Sequence, residues 1–232
     1  MPSVPSMGRG RARLLGKGVE IMNVGTKSLL FGAHCFFLHP FFVASAWRKL
    51  YGLPLDPRIY VAFMVHDLGY LGKPNMDGPE GEKHVELGAK IMHWLFDRPC
   101  KCCEHVSLTQ YAQLRHDYKW HDFCLYHSRY YAKKNGAAVS KLCFADKLSF
   151  ALTPAWLYLP MVTATGEIDE YLKMAQKDDS GHWKPTGMDK RKWHTQLCEY
   201  MRKWVEEHLD GRDDTWTDAT RNTVTSDSGV WK

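Results

Sequence analysis

This chain of 232 residues predicts an all-α protein, and three observations carry that prediction. Apolar side chains recur at helical spacing over most of the length. Helix starts and stops are written plainly, as Pro in a first turn or Gly and Pro just past a last one. Strand signals, meaning alternating β-branched runs closed by tight-turn pairs, are scarce. At 44% hydrophobic and 13% aromatic residues, the chain can bury a sizeable core.

The elements follow in order. Ser28 to Trp47, "SLLFGAHCFFLHPFFVASAW", carries no formal charge and is roughly long enough to span a bilayer. His34, His39 and a central Pro40 suit lipid poorly, so it reads as a buried segment broken at Pro40. From His39-Pro40 a helix runs to about Tyr51 and stops at Gly52 and Pro54. Asp56-Pro57 caps a second helix over about 57–68, which ends before Gly69 and puts His66 and Asp67 in its last turn. The Gly-, Pro- and charge-rich loop "GKPNMDGPEGEK" follows, then a helix over about 83–97. Residues 99–117 have no clear period. Helices are expected over about 119–135, closed by Gly136, and over about 137–152, closed by Pro154. "GEIDEYLKMAQ" and "DKRKWHTQLCEYMRKWVEEHL" are both amphipathic with helical period.

Charge is unevenly spread. Four of the five net positive charges, on Arg9, Arg11, Arg13 and Lys17, precede the first acid, Glu20. Such an arm admits nucleic acid or anionic lipid as partner, but a solvated tail is the favoured reading and no membrane association is expected. Seven cysteines, an odd count, with no apolar leader segment before them, point to reduced thiols in the cytoplasm. Oligomeric state is not legible.

Several inward stripes carry one polar group able to bind a metal. His84 shares a helix side with Gly88, Ile91 and Leu95; His127 shares one with Trp120 and Phe123; Asp146 shares one with Leu142 and Ser149. A carboxylate in a buried stripe is expensive to desolvate. Asp146 must therefore be paired, with Lys147 or Arg129 as the candidates, or coordinated. Taken singly, each of these residues is satisfied by ordinary core contacts. Taken together, His39, His66, Asp67, His84, His127 and Asp146 come from five helices, near apolar faces, and a bundle core converges such ligands. Imidazoles and carboxylates without thiolate suit Mn, Fe, Co, Ni, Zn or Mg.

The order His39, His66-Asp67, Asp146 resembles the metal-binding signature of the HD superfamily of phosphohydrolases. "HPFFVASAWRKLYG" resembles that family's first helix and "AFMVHDLGY" its namesake helix end. "HVELGAKIM" resembles the helix with an extra histidine in two-metal members, and "LYHSRYYAKKNGAAVSKLCFADKLSF" the last ligand-bearing pair. The resemblance covers about 36–152. It implies an HD-domain-like helical bundle with additional C-terminal helices. The parts would be a basic flexible segment at 1–20, an HD-type metal-binding domain at 21–165, helices packed on it at 166–209, and a polar tail at 210–232. One ion would be held by His39, His66, Asp67 and Asp146; a second would use His84 and His127, with Asp67 bridging. Leu68-Gly69-Tyr70-Leu71 lacks the acidic pair of the alarmone hydrolases, and no GYP triplet follows, which argues against those two subgroups.

The activity so implied is hydrolysis of a phosphate ester, most naturally of a small nucleotide-type substrate, by a metal-activated water. Asp67 would be central, with Lys73 and Arg129, or Lys133 one turn further, steadying the transferred charge. A general acid could come from Asp77, Glu80 or Glu82. An HD-type di-iron oxygenase, or a non-catalytic nucleotide-binding module, are the alternatives. "PCKCCEHV" offers Cys100, Cys102, Cys103 and His105 for zinc, but without a second ligand pair at finger spacing, and His105 rivals His127 as a ligand. "LTPAWLYLP" is either a wall beside the site or a packed connector.

Overall fold

A computed structural model describes residues 22–76, 79–97, 119–177 and 189–209. Among them are ten α-helices, two 3₁₀ turns and no strand, as the all-α expectation requires. No helix among the described residues is long and apolar enough to cross a membrane. The basic arm, Asp77, the Cys100–His105 group and the tail at 210–232 lie outside the described residues.

The uncharged stretch breaks earlier than expected. Helix α1, Val24–Phe31, stops at Gly32, and an irregular turn carrying His34 leads into α2, His39–Tyr51. Pro40 sits in the first turn of α2, where its missing N–H costs nothing. Gly52, at φ 79°, closes the helix, a conformation that glycine adopts without steric cost. Helix α3, Pro57–Val65, begins at Asp56, whose carboxylate accepts from the Arg58 N–H. It ends three residues before the expected boundary, so His66 and Asp67 lie just past it, ahead of a 3₁₀ turn at Leu68–Tyr70.

A second 3₁₀ turn, Gly81–His84, leads into α4, Val85–Phe96. The single helix expected over 119–135 is two: α5, Lys119–Leu125, and α6, Arg129–Lys134. Ser128 causes the break, since its hydroxyl accepts from the Tyr131 N–H and starts a new helix. His127 therefore sits in a turn and not on a helical stripe. Helix α7, Lys141–Leu152, starts four residues later than expected, after a non-helical run at 137–140. Then come α8, Ala155–Thr165, α9, Glu167–Lys177, and α10, Lys190–His208. Gly166, at φ 85°, separates α8 from α9, and the Asp189 carboxylate caps α10.

Two main apolar clusters flank α7. Val43, Trp47, Phe63, Val85, Met92, Trp120 and Leu142 join α2, α3, α4, α5 and α7. Tyr158, Val162, Ile168, Trp193, Leu197 and Met201 join α8, α9 and α10. Leu148 packs on both, so α7 is the wall they share. Burying a side chain the size of Phe63 or Leu142 stabilises by about 1.5–3 kcal/mol, which is what holds the short helices in register.

Candidate metal centre

Each ligand candidate is delivered by the end of an element or by its wall-facing side. His39 opens α2, His66 caps α3, His84 closes the second 3₁₀ turn, His127 lies between α5 and α6, and Asp146 sits on α7. All six come together. One group is His39, His66, Asp67 and Asp146; the other is Asp67, His84 and His127; within each, the ligand atoms lie within 4.8 Å of one another.

Asp67 divides its carboxylate between the groups. Its Oδ2 is 3.2 Å from Nε2 of both His39 and His66. Its Oδ1 is 3.4 Å from His127 Nε2 and 3.7 Å from His84 Nε2. Asp146 Oδ1 is 3.1 Å from His39 Nε2 and 3.8 Å from His66 Nε2. Asp146 Oδ2 pairs with Lys147 Nζ at 3.0 Å. Pairing with Lys147 is thus present at one oxygen of that carboxylate, while the other faces the histidines.

Three histidines are aimed by the backbone. His66 Nδ1 donates to the Phe63 carbonyl at 3.0 Å, His84 Nδ1 to the Gly81 carbonyl at 2.7 Å, and His127 Nδ1 to the Cys124 carbonyl. A carbonyl oxygen only accepts, so the proton sits on Nδ1, and in the neutral ring Nε2 keeps its lone pair for a ligand. Tyr70 stacks on the His84 ring, with centroids 4.1 Å apart and planes 6° from parallel.

Close backbone approach sets the spacing. A Cβ on Gly69 would come within 1.8 Å of the His84 carbonyl oxygen. One on Gly88 would lie 2.6 Å from the Val65 carbonyl oxygen and 2.9 Å from His66 Cα. Only glycine lets the turn after Asp67 lie against His84, and α4 against the end of α3.

Burial and charge oppose each other here. Burial works against the charge on His66, yet Asp67 and Asp146 outweigh it and raise its pKa to about 10. His39 is raised for the same reasons. Burial would raise both carboxylates, but His66 and His34 hold Asp67, and Lys147 and His39 hold Asp146, well below the usual carboxylate range. At His84 burial outweighs the pull of Asp67 and lowers the pKa to about 3.

The residues fit a divalent cation. Asp67 Oδ2 and His127 Nε2 are buried and make no hydrogen bond of good geometry. Buried polar atoms ordinarily find partners, so two such atoms facing one cluster call for one. The donor set is nitrogen and oxygen only, and these groups of His and Asp can hold a metal ion.

The expected cations stand elsewhere. Arg129 is buried with its guanidinium 5.1 Å over the Trp204 ring, in the packing between α6 and α10. Lys73 is half-buried; its carbonyl accepts from the Gly25 N–H, and it joins neither ligand group. Glu80 pairs with Lys83 at the surface, and Ser128 donates to Glu82 at 3.5 Å. Lys147, considered from the sequence only as a partner for Asp146, is the lysine that reaches the cluster.

Sequence reasoning also missed His34 and Glu167. His34 lies against the His39 and Tyr70 rings, and burial lowers its pKa to about 4. Glu167 is fully buried and accepts from Ser28 Oγ at 2.9 Å, Thr165 Oγ1 at 2.5 Å and Tyr171 OH at 3.3 Å. Burial raises its pKa in spite of those bonds. Its partner Ser28 is 139 positions away, so no local pattern announces the contact. His34 was visible only as an imidazole in an apolar run.

No family model matches the chain, and no curated protein and no solved structure matches it.

Proposed function

We propose that this chain is an HD-type metal-dependent phosphohydrolase acting on a phosphate ester of a nucleotide or nucleotide-derived compound. The observation that carries the reading is the division of Asp67, one oxygen toward His39 and His66, the other toward His84 and His127. A carboxylate so placed is suited to bridge two cations.

His39, His66, Asp67 and Asp146 would hold one ion, and Asp67, His84 and His127 a second. A divalent cation supplies Lewis acidity, bringing a coordinated water toward neutrality and polarising a phosphoryl oxygen. The chain's own residues do the rest. Backbone carbonyls keep the Nδ1 protons of His66, His84 and His127 in place, so that the rings need not turn over during reaction. Lys147 neutralises the outer oxygen of Asp146 and adds positive charge where an anionic group arrives. It suits that role better than Arg129, whose guanidinium is committed to Trp204. Lys73, on the loop after the Asp67 turn, remains a second cation that substrate can recruit.

The test is phosphate release from a panel of nucleotides and simple phosphodiesters with Mn²⁺, Co²⁺, Ni²⁺, Zn²⁺ or Mg²⁺. Wild type should turn over at least one substrate and Asp67→Ala none; no turnover anywhere, or equal turnover in the variant, defeats the reading. Because two imidazole-rich groups sharing a carboxylate also suit a di-iron oxygenase, oxygen uptake by the iron-loaded protein is measured alongside.

A further inference from the structure

A cavity of about 130 Å³ opens directly beside the ligand groups. Its lining falls into two chemical groups. One is His39, Asp146 and Lys147, which belong to the cluster or touch it. The other is Phe150, Tyr158, Tyr171 and Trp193, supplied by α7, α8, α9 and α10. The Tyr171 and Trp193 rings lie 8° from parallel with centroids 5.9 Å apart, and Phe150 meets Tyr158 edge-on at 4.8 Å. "LTPAWLYLP" is accordingly a wall of this chamber, through Thr153 and Tyr158.

Three hydroxyls at the wall already donate within the protein. Ser149 Oγ donates to the Asp146 carbonyl at 2.7 Å, Thr153 Oγ1 to the Ser149 carbonyl at 3.0 Å, and Tyr171 OH to Glu167 at 3.3 Å. A polyol entering here would lose its water without recovering those hydrogen bonds. A flat ring would lose little and gain aromatic faces. The cavity has room for one ring system beside the ligand groups.

We propose that Phe150 and Tyr171, backed by the buried rings of Tyr158 and Trp193, form a subsite for a single planar ring carried by the phosphate ester, and that the ring is recognised by its faces and not its edges. Purine and pyrimidine monophosphates are then bound alike, and a bare sugar phosphate is not. The placement of the phosphate beside His39, Asp146 and Lys147 rests on the phosphohydrolase reading; the ring subsite rests on the cavity.

Calorimetric titration of the full chain with AMP, CMP and ribose 5-phosphate, with Mn²⁺ and after EDTA treatment, tests it. Stacking a base on an aromatic side chain changes affinity about 10- to 100-fold. AMP and CMP should agree within about tenfold and exceed ribose 5-phosphate by about 30-fold or more. Phe150→Leu, which keeps an apolar side chain, should weaken AMP about tenfold and leave ribose 5-phosphate unchanged. Adenosine should displace AMP from wild type, a readout that holds even where Phe150→Leu fails to fold. Ribose 5-phosphate binding as tightly as AMP overturns the subsite, and so does a preference of 100-fold or so for one base, which would require edge contacts. Ring-dependent binding without turnover removes the hydrolase and keeps the subsite; turnover with ring-independent binding does the reverse.

Discussion

The two groups that share Asp67 use the same side-chain types but balance charge differently. His39 and His66 face two carboxylates, and both are raised, His66 to about 10. His84 and His127 face one oxygen of a shared carboxylate, and His84 is lowered to about 3. The first group attracts positive charge strongly and takes protons where a cation is lacking. The second offers imidazoles aimed by backbone carbonyls, with less charge to draw an ion in. On that balance the first should bind an ion more tightly than the second.

The largest effect should come from the residue common to both. Asp67→Ala should abolish phosphate release and leave less than one ion per chain by elemental analysis. Its loss should exceed the roughly 10- to 100-fold cost of changing an outer-shell partner. Retention of two ions would break the bridging argument.

Separating the groups sharpens the comparison. His127→Ala should leave one ion per chain at high affinity, whereas His66→Ala should weaken uptake of both. If His127→Ala abolishes all metal uptake and His66→Ala does not, the assignment of tight and weak sites is inverted.

pH provides a third test, read as the melting temperature of EDTA-treated protein. His34 and His84 fold with pKa values of about 4 and about 3, below the ordinary 6.5. Below 6.5 the unfolded chain therefore binds more protons at these positions, and stability falls with acidification. His39 and His66 are raised, so their contribution is full below 6.5 and lost as pH climbs, toward about 10 for His66. The metal-free protein should be most stable near pH 6.5. Saturating Mn²⁺ displaces the protons on the first group and should flatten the alkaline limb while keeping the acid one. An alkaline limb that Mn²⁺ leaves unchanged would show that proton and metal do not compete there.

The smallest effect lies outside both groups. Glu167→Gln puts an amide donor among the hydroxyls that donate to Glu167 and should cost about 1–2 kcal/mol in urea unfolding. Metal content should not change; if it does, the joint between α1 and α9 belongs to the centre as well.

Much of this centre was legible because each ligand breaks a local rule. Asp146 is a carboxylate on a buried face, and His66-Asp67 ends an apolar helix ahead of Gly69. Helix starts at Pro40, Asp56 and Asp189 were legible for the same reason, since capping is local chemistry. His127 was chosen for a stripe that does not exist; Ser128 broke the helix, and a hydrogen bond to Cys124 aimed the ring instead. Arg129 and Lys147 are both basic and both near ligands in sequence, and only tertiary packing decides that Trp204 takes one and Asp146 the other. The aromatic chamber was illegible because its walls come from four helices whose mutual placement no local pattern records.

The contacts at Gly69 and Gly88 have a consequence for ion choice. Where main chain rests on main chain, the supports of His66, Asp67 and His84 cannot drift apart. Any ion held here would therefore have to be fitted by side-chain adjustment alone.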